Sequence, residues 1–385
     1  MTTGRGSPAR TAGLPPFLRE WVTTAIVPVL SILLALFFGS LLIILSSLVT
    51  TSGKLDVGLP VVAYKALLVG AFGSDKAIVN TLAAATPLVF TGLAVGVGFK
   101  AGLFNIGGTG QVLIGGFSAA LVGAAVAHQP VPIAVTLALL AGALGGAVYG
   151  FIPGALKAFT GAHEVVSTIM LNSLAAFVIV GLVNDVFKIE GPSFARTADV
   201  GNALLPVLFG RNGHIGILLA LAVVPIVYFL LWRTTIGFEI RTVGANPSAA
   251  RYAGMSPRRL IVITMSLCGL FAGIGGAMEI LSLGYYPAVF GTTIGFAGIT
   301  VALLGRAHPV GILLGAILLG AMRAGAPAMQ IEAKVPVELI DVIQGLILLF
   351  LAAEVVIRRF VRIRAKGVAP DELKTISRSY GEGIV

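Results

Sequence analysis

The chain has 385 residues, of which 57% are apolar and only 11% charged, where a soluble domain carries about a quarter charged residues. Its net charge of +10 would point to nucleic acid in a soluble protein. Here the basic residues lie in short segments between apolar runs, with no aromatic-interleaved basic stripe, so no nucleic-acid partner is expected and membrane lipid takes that place.

Residues 1–20 read as a polar, basic N-terminal tail. The run from Trp21 to Thr50 then holds no charged side chain, and about 20 apolar residues suffice to cross a bilayer as a helix. The run is too long for a secretory h-region and no small-x-small cleavage site follows it, so it is expected to be a retained first helix. Apolar length and loop signals give ten spans in all: 22–48, 78–98, 105–127, 131–157, 164–187, 214–232, 259–283, 292–305, 309–328 and 337–357. The eighth is short and the second is closely coupled to the third, so the expectation is an all-α, polytopic membrane bundle of eight to ten transmembrane helices. Residues 59–73 form an extra apolar stretch with the length of a half-helix. A single transmembrane domain, 21–360, is followed by a basic tail, 361–385.

With the N-terminus in the cytoplasm, eighteen of the 26 lysines and arginines fall on the inside, as the positive-inside rule requires. They are Arg5, Arg10, Arg19, Lys100, Lys157, Arg233, Arg241, Arg251, Arg258, Arg259 and Arg306, and the seven from Arg358 to Arg378. Both termini are then cytoplasmic, and residues 188–213 form a structured external loop. Tyr285 and Tyr286 read as part of an external aromatic belt. Small residues share helix faces at Gly146, Gly150 and Gly154, at Gly269 and Gly273, at Gly291 and Gly295, and at Gly311 and Gly315, the spacing of closely packed membrane helices. The single cysteine, Cys268, lies in an apolar span and reads as a small packing residue.

Soluble-enzyme signatures fail on context. Gly96-Val-Gly98-Phe-Lys-Ala101 matches a dinucleotide fingerprint, but it closes an apolar span and no strand precedes it. No P-loop occurs, His128, His163, His214 and His308 lack metal-ligand spacing, and no catalytic set is clustered. No enzyme activity, metal or cofactor is expected in this chain.

Two segments stand out. Residues 101–111 place Asn105 and Gln111 among four glycines between two apolar spans, a composition that disfavours continuous helix. Broken helices of this kind build substrate sites in transporters, while spacing alone equally allows an ordinary turn. The second is the polar segment Arg233–Arg259. Asn246 is a good N-cap, Pro247 suits the first helical position, and Gly254 ends a helix of about two turns, a rigid knob on the inside face.

At these segments the sequence resembles permease subunits of bacterial ABC importers of the ribose and branched-chain amino-acid permease superfamily, above all the nucleoside-uptake branch that works with a BmpA-like lipoprotein. Gly102-Leu-Phe-Asn-Ile-Gly-Gly-Thr-Gly-Gln111 carries the likeness. So do His163-Glu-Val-Val-Ser-Thr-Ile-Met-Leu-Asn172, Val243-Gly-Ala-Asn-Pro-Ser-Ala-Ala-Arg-Tyr-Ala-Gly254, Gly298-Ile-Thr-Val-Ala-Leu-Leu-Gly305 and Ile343-Gln-Gly345. Gly108-Thr109 departs from the Ala-Glu of many relatives.

The resemblance implies a permease domain in the cell (inner) membrane, paired with a second permease, either a paralogue or a second copy. It also implies cytoplasmic P-loop ATPase subunits that use ATP and Mg, and an external substrate-binding lipoprotein. Residues 244–254 would be the coupling helix, with Gly244, Asn246, Pro247, Ala250, Arg251, Tyr252 and Gly254 facing the ATPase. Nucleosides are the expected cargo, with simple sugars such as ribose as an alternative and an ion-coupled secondary carrier as a more distant one. Glu279, an acidic residue deep in an apolar run, joins Asn105, Gln111, Asn172 and Phe296 as candidates to line the substrate path.

Overall fold

Inside a hydrocarbon layer the backbone must satisfy its own hydrogen bonds, and a helix does so within one segment. The computed structural model describes residues 16–50, 55–192, 194–210, 212–290 and 293–353. Among them thirteen α-helices follow one another. They are α1 Pro16–Thr50, α2 Leu59–Phe72, α3 Asp75–Lys100, α4 Gly108–Ala125, α5 Val131–Ala155, α6 Glu164–Asp185 and α7 Gly216–Arg233, then α8 Thr235–Ala245, α9 Pro247–Tyr252, α10 Pro257–Leu283, α11 Thr293–Leu304, α12 Pro309–Ala333 and α13 Glu338–Ala352. Two short strands, Val207–Phe209 and Gly213–His214, pair antiparallel. The tail residues 1–15 and 354–385, and Gly291, lie outside the described residues.

Each of the ten spans read from the sequence corresponds to a helix. Eight helices (α1, α3, α4, α5, α6, α7, α10 and α12) are long and apolar enough to cross a membrane, so the chain is a multi-pass membrane protein. The other two expected spans are α11, a short apolar helix, and α13, which runs 15 residues. The half-helix expected at 59–73 is α2. One whole helix was not anticipated: α8 precedes the short capped helix, so Gly244 belongs to α8 and the expected single element at 244–254 is the end of α8 followed by α9. Thr234 starts α8, its Oγ1 accepting from the Gly237 N–H.

The interior is built on α3, α4 and α10. The membrane-length windows of α3 and α4 are 83% and 67% buried, against 22% for α1 and α6, which places those two at the periphery. Backbone contact between α5 and α10 depends on glycine: a Cβ added at Gly146 would lie 2.2 Å from the Gly269 carbonyl oxygen, and one at Gly273 would lie 2.3 Å from that of Gly142. Cys268 is fully buried in α10.

The segment between α6 and α7 packs across one end of the bundle. Backbone N–H groups of Thr197, Val200 and Leu205 donate to the carbonyls of Tyr286, Gly284 and Leu281, and the Ala288 N–H donates to the Ala195 carbonyl. This pairing corrects the expectation for Tyr286. It turns the ring inward, where it is fully buried and meets Phe117 and Phe290 edge-on or tilted. Tyr286 is core, not belt; Tyr285 stays half-buried under the Arg196 guanidinium, 4.3 Å from its ring centre.

Candidate translocation path and docking knob

The helix break lies between α3 and α4. α3 closes when Ala101 and Leu103 donate to the Gly98 carbonyl and Gly102 donates to that of Phe99, with Gly102 at φ +69°. A left-handed residue here ends the helix, and glycine takes that conformation without strain. α4 then begins on Gly107, which has no side chain to cap it, so its first N–H groups need acceptors from elsewhere. Asn172 of α6 supplies one: its Oδ1 accepts from the Gly110 N–H at 2.8 Å, and its Nδ2 donates to the Ile106 carbonyl at 3.0 Å.

Asn105 and Gln111 complete the break. Asn105 Oδ1 accepts from the Gly107 N–H at 3.0 Å, and its Nδ2 donates to Gln111 Oε1 at 3.0 Å. Both side chains are 1% exposed. The structure therefore brings three of the five path candidates, Asn105, Gln111 and Asn172, into one network. In this conformation they hold the break rather than face a solute. Asn172→Ala leaves the N–H of buried Gly110 unpaired, costing about 1–3 kcal/mol, and also frees the carbonyl of half-buried Ile106. A loss of thermal stability in detergent, partly recovered by Asn172→Asp, which keeps the acceptor, is the expected result; an unchanged melting temperature would remove the capping role.

Thr109, in the first turn of α4, is buried and finds no hydrogen-bond partner for its Oγ1 among the described residues. It packs on Gly295, where an added Cβ would meet the Thr109 backbone at 2.4 Å. The starts of α4 and α11 thus abut inside the bundle. Phe296, one residue on, is 50% exposed.

Glu279 is separate from this network. It is half-buried near the end of α10 and coupled electrostatically to Arg323 of α12. Arg323 is not among the candidates named from sequence, although an arginine inside an apolar span carries the same signal as Glu279. Its Nη2 donates to Thr293 Oγ1, at the start of α11, at 2.8 Å.

The knob, α8 and α9, sits at the end of the bundle where α3 finishes. A Cβ on Gly244 would meet the Lys100 carbonyl oxygen at 2.2 Å and the backbone of Ala101 and Gly102 within 2.9 Å, so the knob rests on the chain leading into the helix break. Arg241 donates from Nε to the Leu231 carbonyl at 2.9 Å. Asn246 caps α9 by accepting from the N–H groups of Ser248 and Ala249 at 3.0 Å; Pro247 follows it and Gly254, at φ +82°, lies beyond its end. Ala250 is fully buried while Asn246, Pro247, Arg251 and Gly254 are exposed and Tyr252 is 95% exposed. An aromatic ring that its own fold leaves in solvent, on a rigid capped turn, has the character of a contact surface.

Comparison with known proteins agrees with this architecture. The model of a family described as branched-chain amino acid transport system / permease component matches residues 77–352. The chain is 39% identical over 350 residues to the guanosine ABC transporter permease protein NupP of Bacillus subtilis, covering 89% of this chain and 97% of that one. It is 33% identical over 331 residues to the nucleoside ABC transporter permease protein NupB of Lactococcus lactis, covering 81% and 89%. It is 32% identical over 346 residues to the glucose ABC transporter permease protein TsgB13 of Haloferax volcanii, covering 86% and 88%. No solved structure matches. The matched region takes in the helix break, the knob, Glu279 and Arg323, and this chain belongs to the branched-chain amino acid transport system / permease component family.

Proposed function

We propose that this chain is a membrane subunit of an ATP-driven importer and forms the translocation path for nucleosides. ATP hydrolysis belongs to separate P-loop subunits that dock on α8 and α9, a second permease completes the path, and an external binding lipoprotein delivers the cargo. The observation that carries the reading is the knob: Arg251 and Tyr252 project from it, and its base at Gly244 touches Lys100–Gly102, directly before the helix break. A push on the knob therefore reaches a break in a buried helix through backbone contact. An ion-coupled carrier has no use for such an element.

On this reading the knob end is cytoplasmic. The basic residues Lys100, Arg233, Arg241 and Arg251 gather there, which supports placing both termini inside. The segment 188–213, at the other end, is the external surface. Nucleosides are favoured as cargo because two relatives with long alignments are named as nucleoside or guanosine permeases. The glucose permease relative supports a second reading in which the same machinery carries a simple sugar.

Proteoliposomes containing the permeases, the ATPase subunits and the binding protein are expected to accumulate labelled guanosine only when ATP is present, with unlabelled nucleosides competing and ribose and glucose failing to compete. Accumulation by this chain without ATPase subunits would overturn the importer reading. Competition by the sugars alone would transfer the assignment to the second reading.

A further inference from the structure

Glu279, Thr293, Arg323 and Asp341 lie on four helices, α10 to α13, and Arg323 is the residue that relates them. Arg323 is hydrogen-bonded to Thr293 and lies within electrostatic reach of both Glu279 and Asp341. It sits ten residues before the end of α12, roughly 15 Å along the helix at 1.5 Å per residue. The cluster is not sealed inside the fold: Thr293 and Asp341 are exposed, Arg323 and Glu279 half-buried, and Phe296 beside them is 50% exposed.

Such a flank is not suited to lipid. A guanidinium or carboxylate facing hydrocarbon costs about 2.5–3.5 kcal/mol or more at the membrane centre, and intramembrane charges face a bundle interior or a water-filled cavity. The contrast within the chain is direct. On α6 the exposed face carries Val166, Met170, Leu174 and Phe177, 54–78% exposed, and no charged residue stands between Glu164 and Asp185, as a lipid-facing helix requires. The charged flank also carries the start of α11, which abuts the start of α4 at Gly295 and Thr109, so it adjoins the helix break. Interrupted helices in transporters face the substrate site.

The chemistry fits an uncharged, hydrogen-bonding solute. A guanidinium offers five donors in a planar fork and a carboxylate accepts only. Arginine pairs in bidentate fashion with the O6 and N7 acceptors of guanine, and a carboxylate accepts from ribose hydroxyls. We propose that Arg323, steadied by Thr293 beside Glu279, is a substrate-contacting residue on a water-facing flank of the path, where it donates to acceptors on the base while Glu279 accepts from the sugar hydroxyls. The inference rests on the nucleoside reading for its ligand, but the water-facing flank does not.

The test uses the assembled importer in proteoliposomes. Thr293→Cys and Phe296→Cys are expected to react with a charged methanethiosulfonate, and more slowly when guanosine and the binding protein are present. Phe177→Cys and the parent chain, whose Cys268 is buried, are expected to stay unlabelled. Arg323→Gln is expected to lower the maximal guanosine uptake per ATP hydrolysed at least tenfold, with subunit assembly and ATPase rate retained; Arg323→Lys, which keeps the charge but loses the fork, should recover part. Absence of labelling at both positions would show the flank to be sealed or lipid-facing and would overturn the proposal. Labelling together with an unchanged uptake-to-ATPase ratio in Arg323→Gln would overturn the contact role. A parent importer that moves only sugars would bring down the nucleoside reading instead, with the labelling pattern untouched.

Discussion

Tyr252→Ala is expected to abolish most of the transport while leaving the chain folded and inserted. The ring is 95% exposed, so truncation removes almost no contact within the chain, and surface substitutions of this kind stay within about 0.5 kcal/mol of the parent in stability. At an interface centre an aromatic side chain contributes roughly 2 kcal/mol or more, which is about a thirtyfold loss of affinity. Arg251→Glu should act in the same direction by reversing a charge on the same exposed turn, with a strong salt dependence that Tyr252→Ala lacks. Gly244→Val separates docking from transmission. Its side chain would collide with the Lys100 carbonyl oxygen, where an added Cβ already lies at 2.2 Å, and lift the base of the knob away from the helix break. ATPase subunits should still co-purify with that variant, and uptake per ATP should fall. The measurement is co-purification of the ATPase subunits alongside ATP-dependent uptake. Full uptake by Tyr252→Ala and Arg251→Glu would take the docking role away from α9.

The fold was largely legible because apolar length is a blunt and reliable signal: every span from 22–48 to 337–357 overlaps a helix among the described residues. α9 was legible from its punctuation, Asn246, Pro247 and Gly254, each of which acts through local backbone geometry. α8 carried the same kind of signal at Thr234 but is polar and only 11 residues long, so apolar length passed over it. The site was legible in composition and not in partnership. Asn105, Gln111 and Asn172 stand out as polar residues between or within apolar spans, yet the bond between Asn172 and Gly110 joins residues 62 apart in sequence, and nothing local announces that Asn172 caps another helix. Tyr286 was misread for the same reason, since its burial follows from pairing with a segment 89 residues earlier at Thr197. Arg323 was legible in principle; an arginine within a 25-residue apolar helix has the weight given to Glu279.

The second large effect concerns the seam that holds the bundle together. Without a hydrophobic drive between helices in lipid, α5 and α10 associate through backbone proximity and dispersion, which small residues permit. Gly146 faces the Gly269 carbonyl oxygen and the backbone of Gly273, where an added Cβ would sit at 2.2 Å and 2.7 Å. Both neighbours are backbone on a fixed helix, so no side chain can rotate away and the helices themselves must part. Gly146→Ala is therefore expected to destabilise by about 2–3 kcal/mol or more, the upper range for overpacked interiors, and Gly146→Val to prevent recovery of folded protein. Helix propensity alone predicts the opposite sign, since alanine is favoured over glycine by about 1 kcal/mol within a helix. Gly345→Ala in α13 isolates that propensity: nothing lies within 4 Å of an added Cβ there, so this variant should be as stable as the parent or slightly more so. Thermal unfolding of the two alanine variants in the same detergent decides between the effects. Equal or raised melting temperatures for both would mean that α5 and α10 are not held by backbone contact at Gly146.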